Sequence, residues 1–218
     1  MMENTFLNDL VRRYPRLSMA AGQIQKAADC LILCYGNGGK VLVCGNGGSC
    51  ADSDHIVGEL MKDFKLNRPL AANMKKSLIR TGGERGEYLS GKLQQGLPAI
   101  SLSAHNSLLT AIANDMDANL VFAQQVAGYG NAGDLLIGIS TSGKSQNVID
   151  ALIAAKAGNM SVIGLTGQNV EKMKPYCDIL VSIPESDTPL VQELLMPVYH
   201  TICMITEDHF FGRDKLQP

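Results

Sequence analysis

The 218-residue chain has no run of basic residues and a formal net charge of only −2, which argues against a nucleic-acid surface as its main business. No apolar run approaches the roughly 18 residues that a membrane span needs. The first residues, MMENTFLNDLVRRYPR, contain neither an apolar signal region nor a small-residue cleavage site. The cytoplasm is therefore the default expectation. Six cysteines are present, at positions 30, 34, 44, 50, 177 and 203, but no two form a Cys-x-x-Cys pair and most lie inside apolar stretches. They read as reduced packing residues rather than a disulfide framework. Cys50 stands in the first turn of a helix, but no nearby base equips it as a nucleophile. What remains is an ordinary soluble composition, 45% hydrophobic and 18% charged, long enough for one sizeable core.

The most informative stretch is Gly39–Leu60, GKVLVCGNGGSCADSDHIVGEL. It reads as a buried strand over Val41–Cys44, a turn rich in glycine (Gly45, Gly47, Gly48), and a helix opening near Ser49. That order sets backbone N–H groups and a helix N-terminus beyond a strand's carboxyl end, where open parallel sheets bind anions. On the same helix His55 and Glu59 are four residues apart and share a face. Upstream, apolar residues from Asn4 to about Tyr35 recur at three- and four-residue spacing, which predicts two helices or one interrupted near Pro15.

A second strand–loop–helix unit follows further on. Asp134–Ile139 is an apolar strand run, and Ser140-Thr141-Ser142-Gly143-Lys144-Ser145 comes directly after it. Four hydroxyls in six residues exceed what one helix cap needs and predict a phosphate-binding loop. Further strand runs lie at Leu97–Ser103, Met160–Leu165 and Asp178–Ile183, with helices over Leu108–Ala113 and Leu120–Tyr129 and a short one at Val170–Lys174. The run Thr188–Phe211 predicts a closing helix that Pro197 bends or interrupts. Lys65–Gly96 is neither periodic nor strongly apolar, which marks a lid, a binding loop or an insertion with its own short helix. Five apolar strands alternating with helices predict a doubly wound parallel α/β sheet.

GNGGS at Gly45–Ser49, ISTSGKS at Ile139–Ser145 and the VQE…H arrangement at Val191–His200 resemble the sugar isomerase (SIS) domain, and within it the heptose phosphate isomerases. The resemblance implies one domain over 1–218, with a five-stranded parallel sheet flanked by helices, an N-terminal helical hairpin over 1–36 and an insertion at 71–95. It implies an aldose–ketose isomerase that converts sedoheptulose 7-phosphate through an enediol. Glu59 and His200 would be the acid/base residues, and His55, Glu59, Gln192 and His200 would bind a divalent metal, typically zinc. Ser140, Thr141, Ser142 and Ser145 would hold the phosphate, while Asn46, Gly47, Ser49, Asp115 and Gln192 would meet the sugar. The assembly it implies is a homotetramer. Donors of this N/O type suit zinc, and the reaction needs a base at a carbon beside a carbonyl. Gln192 and His200, however, stand eight residues apart, about 12 Å along an ideal helix. A bend at Pro197, or a Gln192 placed before the regular helix, would shorten that span; otherwise the four groups do not share one ion. The chain departs from the isomerase pattern at Pro189 and Asp63, where those enzymes usually carry Asp and a basic residue, which bears on the sugar taken more than on the reaction. Two alternatives stay open: a non-catalytic SIS protein that binds the replication initiator, and an isomerase of another sugar phosphate.

Overall fold

The computed structural model describes residues 5–212. Five short strands form one parallel sheet: β1 (Val41–Gly45), β2 (Ala99–Ser101), β3 (Leu135–Ser140), β4 (Ser161–Thr166) and β5 (Ile179–Ser182). Their spatial order is β2-β1-β3-β4-β5, with Val43 opposite Ile137, Ile137 opposite Ile163 and Leu165 opposite Val181. Every residue of β1 and β3 is buried, as strands covered on both faces must be, so these segments read as continuous apolar runs.

Strand alternation divides the core. Val41, Val43, Ile137 and Ile163 face a layer built by α1 (Thr5–Arg13), α2 (Ala21–Gly36), α3 (Gly48–Met61) and α8 (Thr188–Phe211). Leu42, Cys44, Leu136 and Val162 face the other layer, built by α5 (Asn106–Asp115), α6 (Ala123–Tyr129) and α7 (Gln146–Ala157). The chain leaves β1 toward one face and β3 toward the other. A crevice therefore opens at the carboxyl ends of these neighbouring strands, the position where doubly wound sheets take ligands.

Three local expectations are refined. Pro15 does break the leading helical stretch, opening a 3-10 turn over Pro15–Ala20 between α1 and α2. Pro197, by contrast, stays inside an uninterrupted α8: the buried side chains of Leu194, Leu195, Val198 and Tyr199 hold the helix on both sides of the missing N–H. The expected helix at Val170–Lys174 is replaced by a 3-10 turn at Lys174–Tyr176, where Pro175 suits a first turn but not a helix interior.

The aperiodic segment after α3 is largely helical. It forms α4 (Ala72–Lys92), broken at Gly83, whose φ of 53° and ψ of −130° only glycine adopts readily. The two halves fold back on each other so closely that a Cβ on Gly86 would lie 1.9 Å from the Leu78 carbonyl oxygen. Both ends of this hairpin are tied down, by an antiparallel bridge between Pro69 and Gln94 and by the Gln94 amide, which donates to Asp63 at 2.6 Å.

Candidate active site

Three helix N-termini converge on the crevice. Asn46, in the glycine turn before α3, exchanges a reciprocal pair of amide hydrogen bonds with Asn147 in the first turn of α7, at 2.8 and 2.9 Å. Thr141 Oγ1 lies 3.4 Å from Thr188 Oγ1, at the start of α8. Gln192, one turn into α8, lays its amide over Gly48, where an added Cβ would meet Nε2 at 2.2 Å. The partial positive ends of α3, α7 and α8 thus point at one place, an arrangement that favours an anion. Gly47 enters the α3 turn with φ 56°, and the buried Ser49 follows it.

The hydroxyl loop after β3 is folded on itself in the same crevice. Gly143 N–H donates to the Ser140 carbonyl at 2.9 Å, closing a turn that needs Gly143 at φ 66°. Ser140 Oγ donates to Ser145 Oγ at 3.0 Å, and Ser142 Oγ accepts from Lys144 N–H at 3.3 Å. Ser140, Thr141, Ser142 and Ser145 therefore share a few ångströms of chain at the mouth of the switch point. Asp115 stands apart from these bonds: it ends α5, exposed, and accepts from the Asn114 amide at 2.8 Å. A cavity of about 490 Å³ separates α5 from the glycine turn, lined by Asn46, Gly47, Cys50, Ser103 and Thr110 among others.

The second cluster lies two turns farther along α3 and α8, which run side by side. His55 Nε2 is 3.1 Å from Glu59 Oε1 and 3.3 Å from His200 Nε2. One ligand atom from each of His55, Glu59 and His200 falls within 4.8 Å of the others. Among the described residues Glu59 Oε2 is buried with no hydrogen-bond partner, and the Lys62 ammonium is 3.6 Å away, beyond hydrogen-bond range. Two imidazoles and a carboxylate with an unsatisfied oxygen fit a divalent cation, zinc chemistry above all. Burial, reinforced by the neighbouring His55, holds the His200 imidazole below its ordinary 6.5, so the neutral, ligand-competent form is favoured. A cavity of about 600 Å³ between α1 and α8 reaches this cluster at His200.

The structure brings His55, Glu59 and His200 together. Pro197 leaves α8 unbroken, so the backbones of Gln192 and His200 stand about 12 Å apart along it. The Gln192 amide lies over Gly48, in the glycine turn.

A sequence model of the SIS domain matches residues 5–83 and 89–167. The chain belongs to the SIS domain family. This SIS protein is 40% identical over 190 residues to a curated phosphoheptose isomerase of Burkholderia pseudomallei, covering 87% of this chain and 83% of the relative. It is 38% identical over 191 residues to the phosphoheptose isomerase of Desulfovibrio desulfuricans, covering 88% and 79%. Solved structures agree. The phosphoheptose isomerase of Neisseria gonorrhoeae superposes with a TM-score of 0.71 at 32% identity, over 92% of this chain and 94% of that one. That of Francisella tularensis gives 0.74 at 28% identity, over 94% and 96%.

Several residues of the SIS protein's site carry no local sequence signal. Tyr199 contacts His55 from behind and bonds in turn to Asp52, and of the two only Asp52, three residues before His55, is placed by helical spacing on the same face. Arg68 and Glu207 are 139 residues apart and both buried, at 0% and 1% exposure; they join at 2.7 Å. The Glu207 carboxylate also accepts from the N–H groups of Phe64, Lys65 and Leu66, while the Arg68 guanidinium donates to the Leu60 and Glu59 carbonyls. The pair straps the loop after α3 onto α8 and caps α3 at the residue whose side chain enters the cluster.

Proposed function

We propose that this SIS protein is a phosphosugar aldose–ketose isomerase that interconverts sedoheptulose 7-phosphate and D-glycero-D-manno-heptose 7-phosphate by proton transfer through an enediol. The observation that carries this reading is the pairing of two sites along α3 and α8: an anion crevice at their N-termini and the His55–Glu59–His200 cluster two turns away. Two helical turns span about 11 Å, a distance an extended seven-carbon chain covers from its terminal phosphate to its carbonyl end. The phosphoheptose isomerase names of the curated relatives support the same substrate, and they do not favour a non-catalytic role in binding the replication initiator.

In this reading the hydroxyls of Ser140, Thr141, Ser142 and Ser145, with the helix N-termini, hold the phosphate. Asn46, Gly47, Ser49, Asp115 and Gln192 take the sugar hydroxyls, Gly47 by letting the chain approach the backbone. Glu59 and His200 then work as a pair on adjacent carbons. One removes the proton from the carbon beside the carbonyl and the other supplies a proton to the carbonyl oxygen, giving the enediol; the first then delivers its proton to the former carbonyl carbon while the second takes the hydroxyl proton from the neighbouring oxygen, so that the carbonyl forms there and both groups regain their starting states. Glu59 Oε2, buried and without a hydrogen bond among the described residues, has its lone pairs uncommitted for this task. A divalent cation, zinc by the donor set, held by His55, Glu59 and His200, would stabilise negative charge on the enediol oxygens. The exposed Met19 and Leu33 on the N-terminal helices support self-association, and we read the assembly as a homotetramer acting in the cytoplasm. Among the described residues no helix is long and apolar enough to cross a membrane.

The test is turnover of sedoheptulose 7-phosphate beside unphosphorylated sedoheptulose, with the aldose product identified directly. The phosphorylated ketose is expected to be converted far more efficiently. No turnover, or equal turnover of both sugars, would overturn the assignment.

A further inference from the structure

The face of His55 turned away from the cluster meets Tyr199, which reaches in turn to Asp52. Tyr199 Oη lies 3.0 Å from His55 Nδ1 and donates to Asp52 Oδ1 at 3.2 Å. Tyr199 is 2% exposed, and Asp52 stands one turn before His55 on α3. A phenol carries one proton, and a carboxylate can only accept. With the hydroxyl proton directed at Asp52, the phenol oxygen is left to accept, and the partner able to donate to it is Nδ1–H of His55. Nε2 then carries no proton, and its lone pair points to where Glu59 Oε1 and His200 Nε2 also face.

We propose that Tyr199 and Asp52 are positioning residues that hold His55 as its Nδ1–H tautomer and so present Nε2 as a cation ligand. The inference rests on reading His55, Glu59 and His200 as a cation site. The opposite tautomer has one attraction, an Nε2–H bond to Glu59. It would turn Nδ1 into an acceptor, competing with Asp52 for the single phenol proton, and leave one of the two without a donor. With a cation on Nε2 the bonds run in one direction, from Nδ1–H to the phenol oxygen and from the phenol to the carboxylate, and every group is satisfied. An outer carboxylate reached through a hydrogen-bonded relay is a general device for orienting a ligating imidazole. The Tyr199 ring also packs edge-on against both imidazoles, with centroids at 5.5 Å from His55 and 5.0 Å from His200. Tyr199→Phe therefore removes the hydroxyl and keeps the ring.

The experiment measures zinc affinity of the full-length protein by competition with a chromophoric chelator, for wild type, Tyr199→Phe and Asp52→Asn. Proton NMR of the imidazole N–H groups in the zinc-loaded proteins accompanies it. Tyr199→Phe should weaken zinc binding by roughly 10- to 100-fold. The exchange-protected Nδ1–H resonance of His55 should be lost with it. Asp52→Asn, which keeps an acceptor oxygen without the charge, should show a smaller loss. A purely structural Tyr199 would lower the melting temperature of the metal-free protein and leave zinc affinity and the resonance unchanged, and that result would overturn the proposal. Should Tyr199→Phe fail to fold, unchanged zinc affinity in Asp52→Asn would overturn it as well. A wild type that takes up no zinc would overturn the cation-site reading beneath it, a result distinct from the other two.

Discussion

Glu207→Gln tests whether the strap between α3 and α8 matters as its geometry implies. Glu207 Oε1 accepts from Phe64 N–H at 2.9 Å and Arg68 Nε at 2.7 Å, and Oε2 accepts from Lys65 and Leu66 N–H at 2.8 and 3.2 Å. Whichever oxygen becomes an NH₂ group, two donors lose their acceptor and face another donor. Arg68, 0% exposed, loses its counter-charge at the same time. Breaking a buried pair from one side costs about 3–5 kcal/mol. That is a large part of a total stability on the order of 5–15 kcal/mol. For a chain of this length it should lower the melting temperature by roughly 6–20 °C. Thermal unfolding followed by circular dichroism, at one fixed protein concentration because association shifts the midpoint, would measure it. The double variant Arg68→Met/Glu207→Leu should recover only the part of the loss that comes from the orphaned Arg68 charge, since the N–H groups of Phe64, Lys65 and Leu66 still lose their acceptor. A shift of a degree or two in Glu207→Gln, or a double variant worse than the single ones combined, would refute the reasoning.

Other outcomes follow from particular positions. Gly143→Ala forces φ 66° on alanine and sets its Cβ 1.9 Å from the Asn169 carbonyl oxygen, so the serine loop must re-form; KM for the sugar phosphate should rise at least tenfold, and an unchanged KM would separate this loop from phosphate binding. Cys44 and Cys203 are buried, and burial pushes both thiols up to about 12, so neither should be alkylated in native protein at pH 8, which peptide mapping after iodoacetamide treatment checks. In metal-free protein the His200 imidazole should titrate below 6.5 by NMR because burial, then His55, opposes its charge. The unfolded chain then binds this proton first as pH falls. The stabilising contribution is full above pH 6.5 and lost as pH drops from there through the lower folded value, so metal-free protein that gained stability on acidification through this range would contradict the assignment.

The sheet was legible because each strand is a short apolar run: VLVCG, DLLIGI and MSVIGL need no partner to be recognised, and their order along the chain implies a doubly wound sheet. The hydroxyl loop and the His55–Glu59 pair were equally local, one by composition and the other by helical spacing. The pairing of that helix with His200 came from resemblance to a family, since nothing in spacing alone joins positions 145 residues apart. Helix α4 escaped pattern reading because Gly82, Gly83, Gly86 and Gly91 dilute its periodicity, while the hairpin is held by a glycine contact that no hydrophobic pattern reports. Tyr199, Asp52, Arg68 and Glu207 were illegible for a related reason. Tyr and Glu within an apolar closing helix read as ordinary, and their roles exist only once α3 and α8 lie side by side.

The central claim is that Glu59 and His200, brought together by α3 and α8, move the protons of the isomerisation. Steady-state turnover of sedoheptulose 7-phosphate by Glu59→Gln and His200→Gln, each shown to be folded, tests it most directly. The account predicts that kcat falls at least 100-fold in both, the usual scale for losing a general acid or base. Full activity in either variant would contradict it.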